Sequence, residues 1–125
     1  MIRVLVVDDT PHVRELVADM LGLDGFDVVG RAADGQEAVD LARTTDPHVV
    51  VMDLHMPVMD GLEATRRIRA ERPGQQVVVY TAYLDAEVER AAAAAGAALC
   101  LGKVDGLPRL EQELSRLTLA VARER

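Results

Sequence analysis

The run Val49-Val50-Val51-Met52-Asp53-Leu54-His55-Met56-Pro57-Val58-Met59-Asp60-Gly61 decides the fold. Its first four residues are apolar without alternation, as in a strand covered on both faces. A carboxylate ends that strand. After Pro57, Asp60 stands three residues before Glu63, the spacing of a capped helix start. The reading is strand, loop, helix, with His48–Met52 as the strand.

The same unit recurs on either side. Upstream, Ile2–Val7 is an apolar run broken only by Arg3. Asp8 and Asp9 end it, Thr10 fits an N-cap and Pro11 the first helical position. Val13, Leu16, Val17, Met20 and Leu21 then fall at helical spacing and predict a helix laid on a core. Gly22 to Gly25 closes it, and Phe26–Gly30 reads as the second strand. Asp34 and Glu37 open a second helix with Ala38, Leu41 and Ala42 inward, ending before Pro47. Downstream, Leu62, Thr65 and Ile68 or Arg69 mark a third helix that Pro73-Gly74 stops. Gln76–Tyr80 is the fourth strand. Asp85–Ala95 is an Ala-rich helix ended by Gly96, and Ala97–Leu101 is the fifth strand. A last helix runs from about Leu107 to Ala122, with Leu110, Leu114, Leu117 and Val121 on one face. Five β-then-α units in 125 residues predict an α/β fold. It is a doubly wound, five-stranded parallel sheet with helices on both faces, one domain over residues 1–125.

Composition narrows the function. There are 14 basic and 21 acidic residues, a net charge of −7, which argues against direct nucleic acid or anionic membrane binding. No stretch approaches the ~20 apolar residues of a membrane span, and no signal-peptide pattern opens the chain, so a cytoplasmic location is expected. The single cysteine, Cys100, excludes an intramolecular disulfide and reads as a small buried hydrophobe. His12 and His48 read as surface or strand-edge residues. Thirteen of the 14 basic residues are arginine, and the lone lysine, Lys103, sits directly after the fifth strand.

A doubly wound sheet binds its ligand outside the carboxyl ends of its strands. There the first strand delivers Asp8 and Asp9, the third Asp53, the fourth Thr81 and the fifth Lys103. Any one alone is an ordinary loop or capping residue; together they form a rim of three carboxylates, a hydroxyl and an ammonium. Clustered carboxylates repel unless a cation joins them, and hard oxygen donors suit Mg²⁺ or Mn²⁺. No Gly-rich phosphate loop is present, so a nucleotide site is not expected. A carboxylate can be the nucleophile toward phosphorus, and the oxygens of a transferring phosphoryl group need positive or donor partners. Asp53, on the most apolar strand, is the expected nucleophile, with Thr81 and Lys103 as those partners.

These residues resemble the receiver domain of two-component response regulators, over essentially the whole chain. The resemblance rests on Asp8-Asp9, on residues 49–57 with Asp60-Gly61 behind them, on Tyr80-Thr81-Ala82 and on Gly102-Lys103. The spacings are 44 residues from Asp9 to Asp53 and 22 from Thr81 to Lys103. The family implies a flavodoxin-like (βα)5 sheet of strand order 2-1-3-4-5. It implies a phosphoprotein in which Asp53 accepts a phosphoryl group from a sensor histidine kinase or a phosphotransfer protein, with Mg²⁺ (or Mn²⁺) held by Asp8, Asp9, Asp53 and the backbone carbonyl of His55. Thr81 is then the switch hydroxyl, Lys103 the ammonium paired with the site, and Gly61 a turn residue using its free φ. A protein partner would bind the face of helix four, strand five and helix five. Such a protein has no turnover substrate and is not called an enzyme; it is expected as a monomer or weak homodimer.

Two positions depart from the family. Val104 follows the lysine where many members have a cis-proline. Cys100 stands where many carry an aromatic ring that turns inward on activation, which leaves Tyr83 as its substitute. His55 and Tyr83 flank the expected phosphoryl position, and their bulk predicts a long-lived phosphoprotein. Two alternatives stand beside this reading. One is the receiver part of a DNA-binding transcriptional regulator whose output domain lies outside the chain. The other is a haloacid-dehalogenase-like phosphatase, disfavoured because His55 stands where a second acid belongs and no cap insertion is present.

Overall fold

Five strands of four to six residues, their centres mostly β-branched and apolar, pair side by side into one parallel sheet, in order β2-β1-β3-β4-β5. The computed structural model describes the backbone of residues 1–124 and the side chains of residues 1–119. Its strands are β1 (Arg3–Val7), β2 (Asp27–Ala32), β3 (Val49–Met52), β4 (Gln76–Thr81) and β5 (Leu99–Gly102). They alternate with α1 (Pro11–Leu23), α2 (Gly35–Thr45), α3 (Gly61–Glu71), α4 (Ala86–Ala95) and α5 (Leu107–Glu124). A 3₁₀ turn, Lys103–Asp105, leads into the last helix. The fold class and strand order are those expected.

Both faces of the sheet are covered. Val4, Val6, Val49, Val51, Val78 and Tyr80 pack against Val17, Leu21, Leu110 and Leu114 of α1 and α5. Leu5, Val7, Val50, Met52 and Val77 pack against Ala38, Val39, Ala64 and Ile68 of α2 and α3. β3 is buried at all four positions, which explains its unbroken apolar run. Helix starts follow the expected chemistry: Asp34, Asp60 and Asp85 accept the N–H groups of Glu37, Glu63 and Val88.

Several boundaries shift for identifiable reasons. The second strand starts at Asp27, not Phe26, because the Phe26 N–H donates to the Leu21 carbonyl and closes α1. It runs on through Gly30 to Ala32, with one extra residue opposite Val4 and Leu5. The fifth strand starts at Leu99, not Ala97, because Gly96 and Ala97 donate to the last carbonyls of α4. Thr10 is the N-cap of α1, but its side chain makes no cap bond; instead its N–H donates to Asp8. Leu16 is 57% exposed and Met20 36%, against the inward placement expected. The buried face of α1 centres between Val17 and Leu21, and at ~100° per residue those two lie off its edge. In α3 it is Ile68 that is buried, while Arg69 lies half-buried and donates to the carbonyls of Pro73 and Gln75. Leu110 and Leu114 are buried as expected; the side chain of Val121 lies outside the described residues.

Candidate metal and phosphoryl site

The strand order reverses between β1 and β3, and the carboxyl ends of those two strands place Asp8, Asp9 and Asp53 together. Carboxylate oxygens of all three lie within 4.8 Å of one another. Asp8 is 4% exposed and held from every side. Its N–H donates to Ala32, its Oδ1 accepts the Thr10 N–H at 3.0 Å and its Oδ2 accepts Lys103 Nζ at 2.7 Å. Its carbonyl accepts Arg14 Nη1 at 2.9 Å. Asp9 is the most exposed of the three.

Asp53 follows β3. Its N–H donates to the Val7 carbonyl, and its Oδ1 accepts the Leu54 N–H at 2.9 Å. Oδ2 accepts no hydrogen bond from the described residues and is not sealed from solvent. Lys103 Nζ stands 3.7 Å from Asp53 Oδ1, so the lysine's close partner is Asp8 and not Asp53. Burial and the nearby Asp8 charge push the Asp53 carboxyl up to about 6, against the pull of Lys103 and the Leu54 amide.

Thr81 ends β4, fully buried, paired in register with Gly102 and thus beside Lys103. Its Oγ1 accepts the Tyr83 N–H at 3.2 Å. His55 is exposed, and its ring meets Tyr83 edge-on with centroids 6.0 Å apart. The two rings stand on the loops that follow β3 and β4.

The charge balance suits a divalent cation. Three carboxylates against one ammonium leave two negative charges in a half-closed site. The donors are hard oxygens, the set that Mg²⁺ and Mn²⁺ prefer.

The loop around the site is shaped by close backbone approach. A Cβ on Gly61 would lie 2.0 Å from the Asp53 carbonyl oxygen, and one on Gly35 would lie 2.3 Å from that of Met59. Gly61 is therefore required for space, and not for the free φ expected of it. The positive φ falls instead on Val58, at 69°.

Sequence reasoning missed Arg14, Gly35 and the Leu54 amide. All three act on or through backbone groups, which leave no mark on residue type. Tyr80, expected only as a strand and motif residue, has its ring buried in the α5-side core directly before Thr81, where burial pushes its hydroxyl pKa up. Cys100 is half-buried against the cluster of Leu54, Val79 and Ala92, less enclosed than expected, and burial raises its thiol pKa. No described peptide bond is cis, Lys103–Val104 included. His12 is exposed, and the Nδ1 of half-buried His48 accepts the Arg3 N–H at 2.8 Å.

Comparison with known proteins gives a consistent result. The response regulator receiver domain family matches residues 4–115. The chain belongs to that family. This receiver is 47% identical over 104 residues to a protein-glutamate methylesterase/protein-glutamine glutaminase of Myxococcus xanthus, covering 82% of this chain and 30% of that protein. It is 38% identical over 126 residues to the transcriptional regulatory protein PdtaR of Mycobacterium tuberculosis, covering 98% of this chain and 61% of that one. The receiver thus spans roughly a third to three fifths of these curated relatives. Among solved structures, the response regulator TrrA of Thermotoga maritima in complex with Mg²⁺ and BeF superposes with a TM-score of 0.84. It is 29% identical, with 94% of this chain and 99% of that one covered. The receiver is accordingly a component of two-component signalling, and its acidic cluster is compatible with Mg²⁺. No described helix is long and apolar enough to cross a membrane.

Proposed function

We propose that Asp53 accepts a phosphoryl group from a phosphohistidine of a kinase or phosphotransfer protein, and that residues 1–125 act as one receiver in doing so. The observation that carries this reading is the state of the Asp53 carboxylate. One oxygen is held by the Leu54 amide, and the other is open beside two further carboxylates and an ammonium. The open Oδ2 is the attacking atom. As the O–P bond forms, the P–N bond to the imidazole breaks, and the imidazole leaves with its electron pair and takes a proton from solvent. Asp8, Asp9, Asp53 and the His55 carbonyl would hold Mg²⁺, which when bound supplies positive charge for the phosphoryl oxygens. Thr81 donates its hydroxyl proton and Lys103 its ammonium to those same oxygens.

The new charge on Asp53 draws Lys103 away from Asp8 and Thr81 away from the Tyr83 amide. Those two movements bias α4, β5 and the start of α5, where a downstream protein partner binds. The chain's own chemistry is the gain and loss of one phosphoryl group, and a location in the cytoplasm fits that role. The relatives' greater length supports a second reading, in which this receiver controls an output domain on the same polypeptide, such as a transcriptional one.

The test is intact mass after incubation with acetyl phosphate and Mg²⁺. Wild type gains one phosphoryl group; Asp53→Asn does not, and chelating the metal abolishes the gain. An Asp53→Asn protein that is phosphorylated at the wild-type rate would overturn the assignment.

A further inference from the structure

We propose that the cavity between the N-terminal ends of α3 and α4 is a docking site for an arginine side chain, carried beside an apolar residue on a partner protein. The walls are Leu54, Leu62, Val88 and Ala91, around a volume of about 250 Å³ open to solvent. That space admits the methylene stem and planar head of one long side chain.

The rim is acidic. Asp60 and Asp85 are the N-caps of the two helices, and Glu87 stands in the first turn of α4. Each capping aspartate uses Oδ1 on its own helix and keeps Oδ2 for a ligand. Among the described residues no cation lies within 4.0 Å of any of the three. Elsewhere arginines pair with Glu15, Asp19, Asp40, Asp46, Glu63, Glu71 and Glu113, but Asp24, Asp27, Glu89 and Asp105 are exposed with no described cation as close, so it is the apolar hole between the rim acids that distinguishes this place. The two helix N-termini contribute about half a positive charge each, so roughly two negative charges remain around an apolar hole. A guanidinium matches it better than an ammonium: it is planar, weakly hydrated and able to bond two carboxylates at once, while its stem lies along apolar walls. The same charges repel phosphate and nucleic acid.

The cavity adjoins the phosphoryl site through Leu54 and His55, the two residues after Asp53, but its three acids are none of the acids there, so its test needs no phosphodonor. The ¹⁵N-labelled full chain is titrated at low salt with the capped dipeptide acetyl-Leu-Arg-amide, and then with its citrulline counterpart, a neutral isostere. The expected result is shift changes at the amides of Leu62, Val88 and Ala91, with the arginine peptide at least threefold tighter than the citrulline one. Glu87→Gln, which caps nothing, weakens the arginine peptide to near the citrulline value. Ala91→Leu, which fills the hole from a helical position, removes binding of both. Equal affinity for the two peptides, binding unchanged in Ala91→Leu, or shifts confined to the Asp8–Asp53 rim would each overturn the proposal.

Discussion

The Asp53 carboxyl is charged at a cost the fold bears until a cation arrives. An unfolded aspartate titrates near pH 3.9, whereas the folded group titrates at about 6. Below pH 4 both states hold the proton. Between pH 4 and 6 the unfolded chain releases it while the folded chain keeps it, so the stability contribution falls with rising pH and is flat above 6. Metal-free Asp53→Asn should therefore be more stable than wild type at pH 7.5 by roughly 1–3 kcal/mol, with the gap closing near pH 4. Urea unfolding across that range measures it, and equal stabilities at pH 7.5 would mean that the site carries no charge strain. The lone lysine makes a second case. Lys103 is three-quarters buried and bonds Asp8 at 2.7 Å. A guanidinium is broader and favours two parallel bonds over the single point contact made here. Lys103→Arg should retain Mg²⁺ binding and phosphorylation but lose the phosphorylation-dependent shift in amide resonances of α4 and β5. A wild-type shift pattern in the phosphorylated mutant would show that any cation suffices.

At the scale of the element, the strands and helices were legible because apolar runs and Asp caps act locally. Their ends were less so, because Phe26 and Ala97 are taken by helix-closing hydrogen bonds that compete with the strands. The site residues were legible as polar groups after apolar strands. Their partners were not: Lys103 selects Asp8, and Arg14 selects a carbonyl, by three-dimensional proximity alone. The β3–α3 loop shows both sides of this. Met52-Asp53 and Asp60-Gly61 announce its ends, but nothing in the sequence marks Val58 as the residue with φ of 69°. A β-branched residue there is strained, and Val58 is 82% exposed, so it contributes little packing in return. Val58→Gly should raise stability by about 1 kcal/mol, read as a higher urea midpoint at unchanged slope. Gly61→Ala should act in the opposite direction, costing roughly 3 kcal/mol or more, because its new methyl meets the Asp53 backbone and no flexible side chain can yield.

For the molecule as a whole, the sheet brings five strand ends to one rim, and the stability of all 125 residues then becomes a readout of what binds there. A ligand that binds only the folded state at one hundred times its Kd adds ~2.7 kcal/mol, which for a domain of this size is a rise in Tm of roughly 10 °C. Mg²⁺ at the acidic cluster should produce that rise at pH 7.5. At pH 5 a free Asp53 carboxyl that titrates at about 6 is mostly protonated, and the metal must displace the proton. The apparent Kd then weakens about tenfold, and the same Mg²⁺ concentration should add only ~1.4 kcal/mol. Asp53→Asn has no such proton to lose, so whatever Mg²⁺ stabilisation it retains should be the same at both pH values. Thermal melts of both proteins, with and without Mg²⁺, therefore separate two origins of the effect. If wild type and Asp53→Asn lose Mg²⁺ stabilisation in parallel on acidification, the titrating group is not Asp53. If only wild type does, it is Asp53, and the atom that takes up the proton is the one proposed to take up the phosphoryl group.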